Sequence, residues 1–375
     1  MANGELFPAR RASPLPGGYM GRILRVDLTT GKFTDENLPE EPVLRKFIGG
    51  QALALYILLK ELSRDATPYG PENKVVMMTG PITGTGFTPG GTKVTAVYLS
   101  PLTEHTLGRG ASSGFWPVYL KAAGYDGLII QGASPRPVYL FINEAKPELR
   151  DASRVWGKGA RATEDLLREE VGIADARVMA IGPAGENLVR AAMLCNDYNH
   201  NAAHSAGAVF GAKKLKAIVV YGTKRAPLHD KERLIEAGLR WRKTLAVRNV
   251  DEKKTAGHAE DLHALPNLNY RSSLIEDHAR GFDQNRITLR PCYQCQRLCP
   301  WDVEIGEGPK KGAVGHFNAG SEWLDTFFNL GVKGNEVLYL AEKINDLGIE
   351  CSHFSCGAAV AFEAWEKGLD RKSVV

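Results

Sequence analysis

Long apolar runs, cysteines and net charge are all scarce in this 375-residue chain, and each scarcity excludes something. No run of about eighteen apolar residues occurs, so no membrane span is expected. A formal net charge of +4 is too small to argue for nucleic acid as a partner. Arg10 and Arg11 have no apolar core behind them. The Pro- and Gly-rich residues 12–18 cannot serve as a signal sequence, and residues 1–18 are expected to be a disordered leader. There are only six cysteines, three of them clustered, which points to a reducing compartment and a cytoplasmic location. No internal repeat or low-complexity tract stands out. Glycine and proline are plentiful instead, at 40 and 20 residues, as in a sheet-rich protein with many turns.

The densest signal is Cys292-Tyr293-Gln294-Cys295-Gln296-Arg297-Leu298-Cys299-Pro300. C-x2-C-x3-C spacing suits three thiolates converging on one cubane iron–sulfur cluster, with a fourth ligand from elsewhere. Pro300 stops helix growth behind the ligand loop. Zinc is the rival, but structural zinc sites usually take paired knuckles, and the chain has no second one.

Around that motif the chain divides in two. Alternating or short apolar runs predict strands at 22–27 with a return after Gly31, then at 75–78, 92–100, 178–181 and 217–221. Residues 128–130 and 138–142 are expected to pair with each other. Helices are predicted over 43–62, 164–171 and 231–247, with two strongly periodic ones at 334–347 and 353–367. Residues 19–222 thus read as a sheet-rich domain and 223–375 as a mainly helical one, an α+β fold. Gly84-Thr85-Gly86 follows a strand but no helix comes after it, so a dinucleotide fingerprint is not met. These are either turn glycines or a place where a bulky cofactor approaches the backbone.

Several segments resemble the aldehyde ferredoxin oxidoreductase family of tungsten enzymes. They are Gly21–Leu28 with Gly31, Phe47-Ile48-Gly49-Gly50, Thr79–Thr85, Ser100–Thr103, Lys121–Gly127, Ile181–Asn187 and Gly207–Ala217, followed by the three-cysteine motif. The similarity runs from about Gly18 to Gly368. It implies a tungsten (or molybdenum) bis-molybdopterin beside a 4Fe-4S cluster, on a sheet-built base followed by helical domains. The implied reaction converts an aldehyde and water to a carboxylate, with electrons leaving through the cluster to ferredoxin. A homodimer is compatible with it.

Residue roles follow from the resemblance. Cys292, Cys295 and Cys299 match the cluster ligands. Glu322 matches an active-site carboxylate, although an acid favoured at a helix N-terminus reads equally well. Asn345, Gly348 and Glu350 match the first pterin loop, and Gly348 also reads as a plain helix C-cap. Lys93, Arg109, Asn201, Ala202 and His204 fall at further cofactor positions. The glycine loop 79–91 and the loop 199–207 are expected to approach each other over that cofactor.

Departures from the family are visible. His200-Asn201-Ala202-Ala203-His204 stands where the family carries an arginine-rich loop, so His200 or His204 replaces the arginine fork. The family's third domain, with a second pterin loop and a fourth cluster cysteine, has no counterpart before Val375. The isolated chain is therefore expected to be incompetent alone, with apolar faces of its last two helices uncovered. Cys351 and Cys356 read as small buried helix residues. Glu350 and His353 form an E-x-x-H pair on one helical face, as chance would also produce. Two other functions stay open. One is a reductive relative, such as the catalytic subunit of an aromatic acyl-CoA reductase. The other is an inactive fragment or electron-transfer module.

Overall fold

The computed structural model describes residues 6–9, 14–104, 106–198, 200–246, 284–295, 300–318, 330–332 and 334–369. Cys299 and Glu322 lie outside the described residues.

The first sheet joins β1 (Arg22–Asp27), β2 (Lys32–Asn37), β3 (Val75–Thr79), β4 (Val94–Leu99), β5 (Leu107–Ser112) and β6 (Gly127–Gln131) in the order β2-β1-β6-β3-β4-β5. Only β1 and β6 run parallel. Its central strands β6, β3 and β4 are buried on both faces, which is why they are the most apolar of the six. Leu24, Val26, Val75 and Met77 face one layer, while Ile23, Val76 and Met78 face the other. The second layer is closed by α1 (Glu41–Phe47) and α2 (Gly50–Glu61), through Leu44, Leu53, Ile57 and Leu58. Residues 43–62, expected as one helix, are two, because Ile48 turns left-handed at φ 59° between them.

The first layer is shared with a second sheet of β7 (Val138–Asn143), β8 (Lys146–Asp151), β9 (Arg177–Ala180), β10 (Leu194–Asn196), β11 (His200–Ala202) and β12 (Leu215–Tyr221). Its order is β11-β10-β9-β12-β7-β8. Residues 128–130 and 138–142 are therefore not partners: β6 and β7 belong to different sheets. Both are apolar on both faces, so nothing local distinguishes a hairpin from a crossing. Two short helices, α3 (Trp116–Ala122) and α6 (Ala206–Ala212), add Trp116, Leu120, Val209 and Phe210 to the shared layer. Between β9 and β10 runs α5 (Pro183–Glu186). The outer face of the second sheet is closed by α4 (Ala160–Val171) through Leu167, packed with Val178 and Val219.

Two of the segments that carry the resemblance hold structural ties. Buried Lys121 pairs with Asp126 at 3.2 Å and donates to Gly80 O at 2.9 Å, holding the base of loop 79–91. Buried Lys216 donates to Ile181 O at 2.7 Å and to Glu186 at 2.5 Å.

After α7 (Lys231–Ala246) the described chain resumes with a third sheet, β13 (Arg286–Leu289), β14 (Pro300–Glu304) and β15 (Val314–Asn318), all antiparallel. Sequence reasoning missed it: β13 and β15 carry too few alternating apolar residues to stand out. The helices α8 (Asn335–Leu347) and α9 (Cys351–Glu366) follow as expected. α8 buries Val337, Leu338, Ala341 and Ile344 against Val303 and Ile305. Described residues of the segment expected as a disordered leader are packed. Leu6, Phe7 and Leu15 pack on the first sheet's helical side, and Gly18 N donates to Pro227 O at 2.7 Å.

Candidate cofactor and cluster site

The site is organised by one tight hairpin. β10 and β11 pair with only three residues each, and Asp197 and Tyr198 turn between them with φ 47° and 65°. His204 and Ser205 follow β11 at φ 64° and 74°. Each such non-glycine residue costs about 1 kcal/mol or more. The surroundings hold them there. Asp197 accepts from Phe115 N at 2.6 Å and Trp116 N at 3.2 Å, capping α3. Ser205 Oγ meets Ser100 Oγ at 3.1 Å, and Tyr98 donates its hydroxyl to Ala203 O at 3.2 Å.

At the near end of β11, His200 is buried and its Nε2 lies 3.0 Å from Cys292 Sγ. Burial pushes the His200 pKa down; the Asp197 carboxylate opposes this, and the Lys93 charge adds to it. Cys292 is 8% exposed, and its carbonyl accepts from Cys295 N at 3.0 Å. Gln294 between them is left-handed at φ 54°, so the two thiols sit on one tight turn. Tyr293 packs edge-on against Phe115 at 6.0 Å, and its hydroxyl comes close to Gly86. Loops 79–91 and 199–207 therefore both border this turn.

At the far end of the hairpin, the rings of His204 and His353 meet edge-on at 5.9 Å. His353 belongs to the first turn of α9, and the loop from Asn345 to Glu350 leads into it. That loop docks by backbone. Met193 N donates to Gly348 O, and Glu350 N to Ala191 O, both at 2.9 Å. Gly348 is the left-handed C-cap of α8 at φ 77°. It lies against Gly182, where a Cβ would collide with Leu347 O. Asn345 is buried and accepts from Cys351 Sγ at 3.4 Å. Glu350 caps α9, accepting from His353 N at 3.0 Å and contacting its Nδ1. The E-x-x-H pair is thus engaged with itself.

Two residues from the sequence reading sit differently. Arg109 pairs with Val97, so its exposed side chain shares the α2 face; the neighbouring Gly110 packs on Ala202 and Ala203. Ala202 is itself a core residue of the inter-sheet layer. Lys93 is exposed and Asn201 half-buried.

Tyr198 was missed altogether. Its ring stacks on His316 of β15 at 4.9 Å. The guanidinium groups of Arg161, Arg168 and Arg290 stand 5.2–5.9 Å from it. This cage joins the third sheet to the hairpin. The only signal in sequence was a polar Asn-Asp-Tyr-Asn-His stretch after an apolar run. Below the cage, Glu164 is fully buried and accepts from Tyr198 N at 3.1 Å. Burial, reinforced by the Asp197 charge, pushes its pKa well up.

Residues 23–222 match the model of the aldehyde ferredoxin oxidoreductase N-terminal domain. The chain belongs to that family. Relatives named tungsten-containing aldehyde ferredoxin oxidoreductase include one from Pyrococcus abyssi, 45% identical, and one from Thermococcus kodakarensis, 34% identical. Each alignment covers 94% of this chain and 59% of the relative, so the chain spans about three fifths of their length. An aliphatic sulfonate oxidoreductase, WOR-like subunit, from Pyrococcus furiosus is 32% identical over 94% of the chain. Among solved structures, the active-site complex BamBC of benzoyl coenzyme A reductase with 1,5-dienoyl-CoA superposes with a TM-score of 0.85. That match has 28% identity and covers 96% of this chain and 57% of the other.

For the family, tungsten is the named metal. The donor set here fits thiolate chemistry: Cys292, buried, and Cys295, half-buried, share one tight turn and are soft ligands of the kind iron–sulfur clusters take. Among the described residues, no three His, Cys, Asp or Glu side chains converge as a complete metal site. No helix among them is long and apolar enough to cross a membrane.

Proposed function

We propose that this chain carries the cofactor base and cluster motif of an oxidoreductase that converts aldehydes to carboxylates, with ferredoxin as electron acceptor. Its cofactors are a tungsten or molybdenum bis-molybdopterin and a 4Fe-4S cluster held by Cys292, Cys295 and Cys299. The observation that carries the reading is the hairpin 197–205. The cysteine turn reaches it at His200, and the 345–353 loop reaches it at His204. Two segments assigned separately from sequence, to a cluster and to a pterin, thus border one short element.

When bound, the metal–pterin group supplies two-electron oxidation and the cluster passes electrons on singly. The chain's own residues bind and orient. The exposed side chains of Lys93 and His204 offer cationic or hydrogen-bonding groups to the cofactor's polar edge. Asn201, Ala202, Asn345, Gly348 and Glu350 offer backbone and amide groups beside it. Arg109, whose strand face points away from the hairpin, is the weakest of this set. Glu322 takes up the proton released from water as the acid is formed.

Anaerobically prepared protein should contain iron and tungsten or molybdenum, and a chain of the relatives' full length carrying these residues should reduce a viologen dye with aldehyde. Glu322→Gln should lower turnover strongly at unchanged metal content, since the amide keeps its size and loses the basic oxygen. Iron without tungsten or molybdenum would instead favour an electron-transfer module. A reductive reading is favoured by one observation, the match to the benzoyl coenzyme A reductase complex. Turnover with an aromatic thioester and none with aldehydes would select it.

A further inference from the structure

His200 Nε2 and Cys292 Sγ lie 3.0 Å apart, across 92 positions of sequence. Both residues are buried, at 7% and 8% exposure. Each end is anchored. His200 is paired across the hairpin with Asn196, whose side-chain amide donates to Ser113 O at 2.9 Å. Cys292 is held by the bond from Cys295 N and by the packing of Tyr293 on Phe115. The contact therefore follows from two fixed backbones.

We infer that His200 donates a hydrogen bond from Nε2 to Cys292 Sγ and so raises the reduction potential of the cluster that Cys292 holds. This rests on the cluster reading above. A ligating cysteine is a thiolate and carries no proton, so the hydrogen between the two atoms belongs to the imidazole.

Reduction adds one electron to the cluster; no bond forms or breaks, and the Nε2 proton stays on the ring. The added negative charge is spread partly over the sulfurs, so the N–H···S bond is stronger in the reduced state. His200 is then a positioning residue, acting on electron flow through Cys292.

The experiment compares intact wild type, His200→Gln and His200→Phe, each loaded anaerobically and titrated redox-metrically with the reduced cluster followed by EPR. Phe keeps the ring volume and removes the donor; Gln keeps an N–H. The Phe variant should shift the reduction equilibrium about tenfold toward the oxidised cluster, ~59 mV downward for a one-electron couple. The Gln variant should shift less. In wild type labelled with 15N-histidine, pulsed EPR should show one imidazole nitrogen coupled to the reduced cluster. That measurement decides the matter if the Phe variant does not fold. Equal potentials, or no imidazole coupling in loaded wild type, overturn this role and leave the cluster reading standing. Wild type that binds no iron overturns both.

Discussion

Trp116 and Trp365 stand in opposite surroundings. Trp116 is wholly buried between the two large sheets, and its Nε1 donates to Ile218 O at 2.9 Å. Trp365, near the end of α9, is 54% exposed, beside Val360 and Phe362, which are also exposed. The two sheets close their own core; α9 buries Ser355 and Ala359 but, among the described residues, leaves apolar side chains of its second half exposed. The difference shows where the candidate site gets its rigidity. His200, His204 and the bends that aim them hang from the closed body. The 345–353 loop borrows its position from that body through the two backbone hydrogen bonds at Ala191 and Met193 that bridge Ala192 to Ile349.

The sharpest way to break this comparison is Trp116→Ala. It should cost about 3–5 kcal/mol, the range for removing a fully buried large aromatic. Urea unfolding would read it, and a loss below about 1 kcal/mol would contradict a core shared by both sheets.

Gly182→Ala should come next, at about 1–3 kcal/mol, because the added methyl collides with Leu347 O. Its effect should concentrate on docking. Amide exchange at Met193 and Glu350 should speed up, while exchange in β3 and β12 stays slow. Uniform change across all of these amides would argue against a separately docked loop.

A smaller effect should appear in pH dependence. The folded pKa of Glu164 is raised above its ordinary 4.5 by burial. Its contribution is therefore fully present below about 4.5 and is lost as pH rises through the folded value, since the unfolded chain releases the proton first. Glu164→Gln, neutral throughout, should gain stability relative to wild type as pH rises from 4.5. Thermal melts along a pH series would reveal parallel curves if the carboxyl were ionised in the fold.

Trp365→Ser should do least, changing stability by no more than about 0.5 kcal/mol. A loss of several kcal/mol would mean that this face is covered in solution.

Legibility in the sequence tracked how local the cause was. β3, β9 and β12 were visible because several apolar residues in a row can only be buried on both faces, and β4 through its alternation. The helices α8 and α9 were visible through their period, and Gly348 through its place after the last periodic residue. β10 and β11 were hidden, being three residues long and made by their turn. The third sheet was hidden because β13 carries only alternate half-burial. Tyr198 gave no sign of its arginine and histidine cage, whose members come from α4, the segment before Cys292 and β15.

By itself the sequence determined the long apolar strands of residues 19–222, the tight turn between Cys292 and Cys295, and the family. These depend on spacings within a few residues, where side-chain period and backbone preference act directly. The tertiary structure alone decided that β6 and β7 part into different sheets, that His200 faces Cys292, and that His204 meets His353. Each of those joins positions far apart in the chain. Their meeting depends on which buried faces close on each other, and a free energy summed over the whole core sets that, beyond the reach of any local pattern.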